Sequence, residues 1–252
     1  MTHMQNNKNI AIVLAGGSGS RMNSDIPKQY MEIWDKPILY YSLKTFEESF
    51  IDEIVLVVSE KDLPYCKTNI VDKYNFKKIT KIVAGGKERY NSVYNGLQAI
   101  SSDENNQKIT PNTNIFIHDG ARPCVTIEIL EKCLETVKET RACVVAVPVK
   151  DTIKIVDEKG YAISTPDRNS LWQIQTPQAF SYEVINNAYE SLMHLVTIKG
   201  ITDDAMVVEH YSNVKVKMVE GSYDNVKVTT QGDIELVKSY IKIKQSRNMN
   251  IT

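Results

Sequence analysis

Residues 14–29 read LAGGSGSRMNSDIPKQ, and the rest of the chain is best understood outward from them. The stretch follows a β-branched apolar run, Ile10 to Leu14. It sheds bulky side chains over Ala15, Gly16, Gly17, Ser18 and Gly19, and then presents Arg21 and Lys28. A strand that empties into small residues and then offers cations suits a polyphosphate. Glycine lets backbone N–H groups come close to an anion, and a following helical turn adds its positive end. The bland alternative is a plain turn. Two common phosphate-binding patterns do not fit: G-x-G-x-x-G wants its third glycine where Met22 stands, which disfavours a nicotinamide-dependent reductase, and the Walker pattern fails because Gly85-Gly86-Lys87 continues with Glu88.

Downstream, apolar runs alternate with helical periodicity. Pro37 suits a first helical turn, and Leu39, Leu43, Phe46 and Phe50 follow at helical spacing. Ile54 to Val58 reads as a buried strand, Pro64 to Lys73 as a helix, and Lys81 to Val83 as a strand running into Gly85-Gly86. Val93, Leu97 and Ile100 share a helix face. Ser101 to Asn114 is polar and reads as a solvent loop, and Ile115 to Ile117 is a strand ending in HDGARP. A helix carrying Ile127, Leu130, Leu134 and Val137 and a strand from Cys143 to Val147 complete the alternation. This pattern predicts an α/β fold, a doubly wound and mostly parallel sheet covered on both faces. Ligands in such sheets sit beyond the carboxyl ends of the strands, where the glycine-rich loop, Gly85-Gly86 and Asp119 fall.

After Pro148 the pattern changes. Thr152 to Val156 and Tyr161 to Ser164 flank Lys159-Gly160, a hairpin signal. An isolated hairpin has too few partners to be stable alone, so an arm at about residues 150–172 packing on a second subunit is expected. The chain returns through QTPQAF, a helix from Tyr182 to Leu192, another begun at ITDDA with Thr202 as N-cap, a strand from Val214 to Val219, and a last helix from Asp233.

Composition removes several classes. Thirty Lys plus Arg against 31 Asp plus Glu leaves no global field for nucleic acid or an acidic membrane. The four cysteines form no C-x-x-C pair, which argues against zinc and a disulfide framework. No apolar run approaches the roughly 18 residues of a membrane span, and the polar N-terminus lacks a signal peptide's apolar core. A cytoplasmic, single-domain protein over residues 1–252 is expected.

Individual residues carry competing readings. Asp119, at a strand end beside the phosphate loop, either holds Mg²⁺, which takes one or two carboxylates plus phosphates and water, or caps the next turn. Arg168 either grips a phosphate bidentately or is a solvated loop charge. Lys227 alternates with Val226 and Val228 and points away from them. His118 reads as structural, and Thr176-Pro177 and Asp203-Asp204 as turn and cap residues.

Taken together, AGGSGSRM, PKQY, GGKERYNSV, HDGARP, DRNSLWQIQTPQAF, ITDDA and VEGSYDNVKVT resemble, in order and spacing, the methylerythritol-phosphate cytidylyltransferases of the non-mevalonate isoprenoid route, from about Asn9 to Ile243. The resemblance implies a Rossmann-like nucleotidyltransferase fold whose β-arm interlocks two subunits in a homodimer. It also implies transfer of CMP from CTP to 2-C-methyl-D-erythritol 4-phosphate with Mg²⁺. Carried over, Arg21 and Lys28 match transition-state residues, Arg168 and Lys227 those that position the methylerythritol phosphate, and Asp119 the metal-linked carboxylate. Ala15, Gly16, Gly17, Gly86 and Ser92 match the nucleotide pocket, while Arg122, Thr152 and Thr176 match groups around the second substrate; Thr152 and Arg168 would come from the partner. Lys87, where an acidic or small residue is often found, Ser20, and the long Ser101 to Asn114 loop depart from the pattern. The ribitol-5-phosphate cytidylyltransferases resemble this family throughout and are the alternative within transferases. A catalytically silent nucleotide-binding module would not need Arg21, Lys28, Asp119 and Lys227 together.

Overall fold

The computed structural model describes residues 7–17, 26–101 and 109–249, with side chains through residue 243. Its centre is β1 (Asn9–Ala15), whose NIAIVLA sequence buries alternate residues on opposite faces of a sheet. The two-residue strands β2 (Glu32–Ile33) and β3 (Lys36–Pro37) form a small separate ladder that leads into α1 (Ile38–Glu48). Then come β4 (Glu53–Val58) and α2 (Leu63–Tyr65), the latter continuing as one π-helical segment, Cys66–Asp72. They are followed by β5 (Ile79–Ala84), α3 (Arg89–Ser101), β6 (Asn114–Asp119), α4 (Ile127–Thr140) and β7 (Ala142–Pro148). The hairpin strands β8 (Ile155–Val156) and β9 (Ala162–Ser164) precede β10 (Trp172–Ser181). The chain ends with α5 (Tyr182–Met193), α6 (Asp204–Tyr211), β11 (Lys217–Glu220) and α7 (Gln231–Met249).

The main sheet has seven strands in the order β11-β7-β10-β6-β1-β4-β5. From β1 the chain winds outward through β4 to β5 and then crosses back to place β6 on the other side of β1, so the order reverses between β1 and β6. Their carboxyl ends are side by side, with Leu14 opposite Asp119. This is the topological switch point at which open α/β sheets bind ligands. Period-two side-chain alternation sends Ala11 and Val13 to one face, under α1 and α4, and Ile10 and Ile12 to the other, under α3, α5 and α6. A smaller cluster of Ile33, Ile38, Cys124, Val228, Val237 and Ile241 lies beneath α7.

Four elements differ from the sequence expectation. QTPQAF, read only as a return segment, lies in β10, which runs antiparallel between β6 and β7. Pro177 gives no N–H to a ladder, and it sits where pairing with β7 is interrupted between Ile174 and Gln178. The cap of α6 is Asp203 rather than Thr202: the Asp203 side chain accepts from the Met206 N–H, while the Thr202 hydroxyl faces the Met206 sulfur. β11 starts at Lys217, three residues later than Val214. α7 starts at Gln231, two residues before Asp233, because the Asp233 carboxylate reaches back to the N–H groups of Thr229 and Thr230 and holds the entering chain. The hairpin forms about the Lys159-Gly160 turn, with Gly160 at φ +84°, and every residue of β8 and β9 is exposed.

All four cysteines are buried, and none is in a disulfide. Burial raises the Cys66 thiol to about 11 even though the Tyr30 hydroxyl sits 3.0 Å from its sulfur. The native protein is therefore expected to react with none of its cysteines on brief exposure to a disulfide reagent at neutral pH, and with all four after denaturation. Rapid titration of even one native thiol would contradict this packing.

Candidate active site

Three carboxyl-terminal strand ends define the site. β1 delivers Ala15, Gly16 and Gly17. β5 delivers Gly85-Gly86, backed by Ser92 on α3, and β6 delivers Asp119. Between them is a cleft of about 220 Å³, which Lys28, Arg89 and Lys227 also line. Gly86 is required by close approach: a Cβ built there would lie 2.2 Å from that of Asn91, too near for any side chain. The Gly86 N–H instead donates to the Ser92 hydroxyl at 3.1 Å.

Lys28 begins a single 3-10 turn, Lys28–Tyr30, and the two residues after it anchor that turn. The Gln29 amide donates to the Ala15 carbonyl at 2.7 Å in a buried bond. Tyr30 packs its hydroxyl against Cys66, and burial raises the phenol far above its usual range. The PKQY turn is thereby fixed to the end of β1, and Lys28 with it.

Asp119 is 7% exposed. Its Oδ2 lies 2.7 Å from Lys227 Nζ and 4.0 Å from Arg122 Nε, and its Oδ1 3.5 Å from Arg89 Nε. Burial favours the protonated acid, but Arg89, Lys227 and Arg122 outweigh it and hold the carboxyl well below the usual range, so it is ionised. The capping alternative for its side chain gives way to this cluster of ion pairs. Arg89 is itself fixed from behind by a bidentate pair with Asp204, at 2.8 and 2.7 Å, and Asp204 also accepts from the Tyr189 hydroxyl at 2.6 Å. Asp204 is fully buried, while Arg89 is part-exposed at the cleft, so the guanidinium bridges a carboxylate inside the fold and one at the cleft wall. His118 is structural: burial depresses its imidazole to about 4, leaving it neutral. Its Nε2 bonds the Arg122 carbonyl, and its Nδ1 the Thr176 hydroxyl, which in turn accepts from the Asp119 N–H.

The structure thus brings Ala15, Gly16, Gly17, Lys28, Gly86, Ser92, Asp119 and Lys227 to one cleft. Arg122 and Thr176 lie immediately behind Asp119. Thr152 and Arg168 do not join them. Both are exposed near the hairpin, and Arg168 donates to the Lys150 carbonyl at 3.0 Å. Arg21 falls outside the described residues. Sequence reasoning missed Arg89, Asp204 and Asn225, although all three lie in quoted motifs. Arg89 and Asp204 are 115 positions apart, and nothing local marks them as partners. Asp204 was instead read as a cap residue.

A glycine-lined cleft at the switch point, with cations around one ionised carboxylate, defines a nucleotide-handling α/β enzyme of the nucleotidyltransferase class. The comparisons agree. Residues 9–243 match the family model described as IspD, 2-C-methyl-D-erythritol 4-phosphate cytidylyltransferase, and the chain belongs to that family. The enzyme of that name from Lachnospira eligens is 53% identical over 235 residues, which cover 93% of this chain and 99% of the relative. The one from Clostridium botulinum strain 657 is 48% identical over 230 residues, 91% of this chain and 95% of the relative. Among solved structures, 4-diphosphocytidyl-2C-methyl-D-erythritol synthase from Anaerococcus prevotii superposes with a TM-score of 0.78 at 33% identity, covering 94% of this chain and 96% of that one. The Francisella tularensis cytidylyltransferase superposes at 0.77 and 28% identity, covering 93% and 100%.

Removing Asp204 takes the bidentate partner from Arg89, which among the described residues keeps only its 3.5 Å approach to Asp119. Asp204→Ala is expected to destabilise the fold by about 3–5 kcal/mol in urea denaturation, and Asp204→Asn by less. An unchanged midpoint for Asp204→Ala would show that Arg89 is not held as described.

Proposed function

We propose that Lys28, Lys227 and Asp119 are the working groups of this site, in an enzyme that transfers the cytidylyl group of CTP to 2-C-methyl-D-erythritol 4-phosphate and releases pyrophosphate, a step of isoprenoid precursor biosynthesis. The observation that carries the assignment is the 2.7 Å Lys227–Asp119 pair at the cleft between the β1 and β6 ends. The attacking group is already a phosphate anion and needs no general base. An acceptor phosphate oxygen bonds the α-phosphorus as the bond to the pyrophosphate oxygen breaks. Catalysis then reduces to holding two anions in line and neutralising charge on the α-phosphate. Gly16, Gly17 and Gly86, with Ala15 and Ser92, accommodate the nucleotide. Lys28 faces the triphosphate, a role that the sequence resemblance extends to Arg21, and Lys227 and Arg122 receive the acceptor phosphate. The part-buried Arg122 supports this reading, because its Nε has no hydrogen-bond partner among the described residues.

Nucleotidyltransferases of this family generally use a divalent cation, and the donor set fits Mg²⁺. Asp119 supplies an ionised carboxylate in the cleft, and no group of three or more His, Cys, Asp or Glu side chains gathers among the described residues. Mg²⁺ would be held by Asp119 with nucleotide phosphates and water, and would offset negative charge on those phosphates. In the same proposal the chain acts as a homodimer. Ile155 and Ile163 on the hairpin are 50% and 66% exposed and need a cover. The distance of Arg168 and Thr152 from the cleft supports their serving the partner's site. Soluble substrates and four cysteines outside any disulfide support a cytoplasmic setting, and no helix among the described residues is long and apolar enough to cross a membrane.

Lys28→Ala and Lys227→Ala are each expected to lower turnover at least about a hundredfold with the fold intact; near-normal turnover in either removes that residue from the mechanism. Pyrophosphate release from CTP should be strongly faster with methylerythritol phosphate than with ribitol phosphate. Equal or reversed rates would make the ribitol enzyme the correct reading. Mixing inactive Arg168→Ala and Lys227→Ala protomers should restore activity, since each mixed dimer regains one complete site. Failure to complement, with mixed dimers formed, would place Arg168 in its own protomer's site, and near-normal turnover of Arg168→Ala by itself would put it outside the mechanism.

A further inference from the structure

Lys227 stands in a stretch without regular secondary structure, yet its ammonium is held within hydrogen-bonding distance of Asp119. Something other than a ladder must fix it. We infer that Asn225 is the positioning residue that sets Lys227 against the site. This deepens the proposed function and rests on the role given there to Lys227.

Asn225 is fully buried. Its side-chain amide donates to the Thr176 carbonyl at 2.9 Å and to Gln175 Oε1 at 3.2 Å, both on β10. Its own carbonyl accepts from Arg122 at 2.8 Å, and its N–H donates to the Ser222 carbonyl at 3.0 Å. Gln175 donates in turn to that same Ser222 carbonyl at 2.8 Å. Downstream of Lys227, the Val228 N–H donates to the Ala121 carbonyl at 2.8 Å. Lys227 is thus strung between an upstream anchor on β10 and a downstream anchor beside Asp119.

Thr176 ties the two ends together. Its carbonyl holds Asn225, while its hydroxyl accepts from the Asp119 N–H at 3.1 Å. One residue therefore sets the register of both members of the Lys227–Asp119 pair. A backbone freed by loss of the Asn225 amide would let the lysine drift, and a displacement of about 1 Å at a reacting centre can cost on the order of a hundredfold in rate. Among the described residues, those at the ends of β1 and β5 make none of these contacts.

The experiment is a double-mutant cycle with CTP and methylerythritol phosphate as substrates. Asn225→Ala is expected to lower kcat/KM for the acceptor at least about tenfold, while CTP affinity without acceptor changes less than about threefold. In a Lys227→Ala background the same substitution should change turnover by less than about twofold, since its effect passes through the lysine. Gln175→Met removes one Asn225 partner at nearly constant volume. It is expected to give a smaller loss with the same non-additivity, and it takes the place of Asn225→Ala if that variant does not fold. Multiplicative losses in the double variants, or full turnover in folded Asn225→Ala, would overturn the inference alone. Full turnover in Lys227→Ala would instead overturn the reading of the site on which it rests.

Discussion

An ionised, nearly buried carboxylate surrounded by cations governs this molecule. Asp119 is stable as an anion at the end of β6 because Lys227 and Arg89 stand against it, and Arg89 stands there because Asp204 holds it from behind. Removing charge from water in such a place is costly unless every partner is in position. The structure therefore commits elements from all parts of the chain to this point: the β6 end, the first turn of α3, the start of α6 and the segment before α7. In the proposed reaction the cations turn from Asp119 toward phosphate, a redistribution of charge that needs no new side chain.

Much of this was legible in the sequence because it is written locally. Ile10 to Leu14 running into Ala15-Gly16-Gly17 announces a buried strand that ends in small residues, and the end of β1 supplies one wall of the cleft. The helical spacing of Leu39, Leu43 and Phe46 put the buried stripe of α1 where it is found. Residues placed where a strand stops, such as Asp119, can be located from a single stretch, since alternation fixes the element and its end.

What stayed hidden is what depends on pairing at a distance. The Arg89–Asp204 bridge joins residues that look ordinary alone: an arginine opening a helix and an acid beside a cap. Asn225 is a polar residue in a polar run until β10 is seen to bury it. β10 itself was obscured by Pro177, whose missing donor argues against a central strand, and the chain accommodates it at a break in the ladder. The two misplaced helix starts, the cap at Thr202 and the first residue at Asp233, share a cause. Neighbouring hydroxyl and carboxylate groups can each cap a helix, and only the backbone geometry selects one.

The insertion of β10 between β6 and β7 has a consequence for biosynthesis. β7 leaves the ribosome before β10, yet the two neighbours it will have in the finished sheet, β10 and β11, are both still unmade. Until then the backbone edge of β6 that will pair with β10, from Asn114 to Ile117, is open, the kind of edge that recruits other chains. Nascent polypeptides that stop short of Trp172 therefore expose their most adhesive surface, and the interval between the two strands is when a chaperone has most to protect.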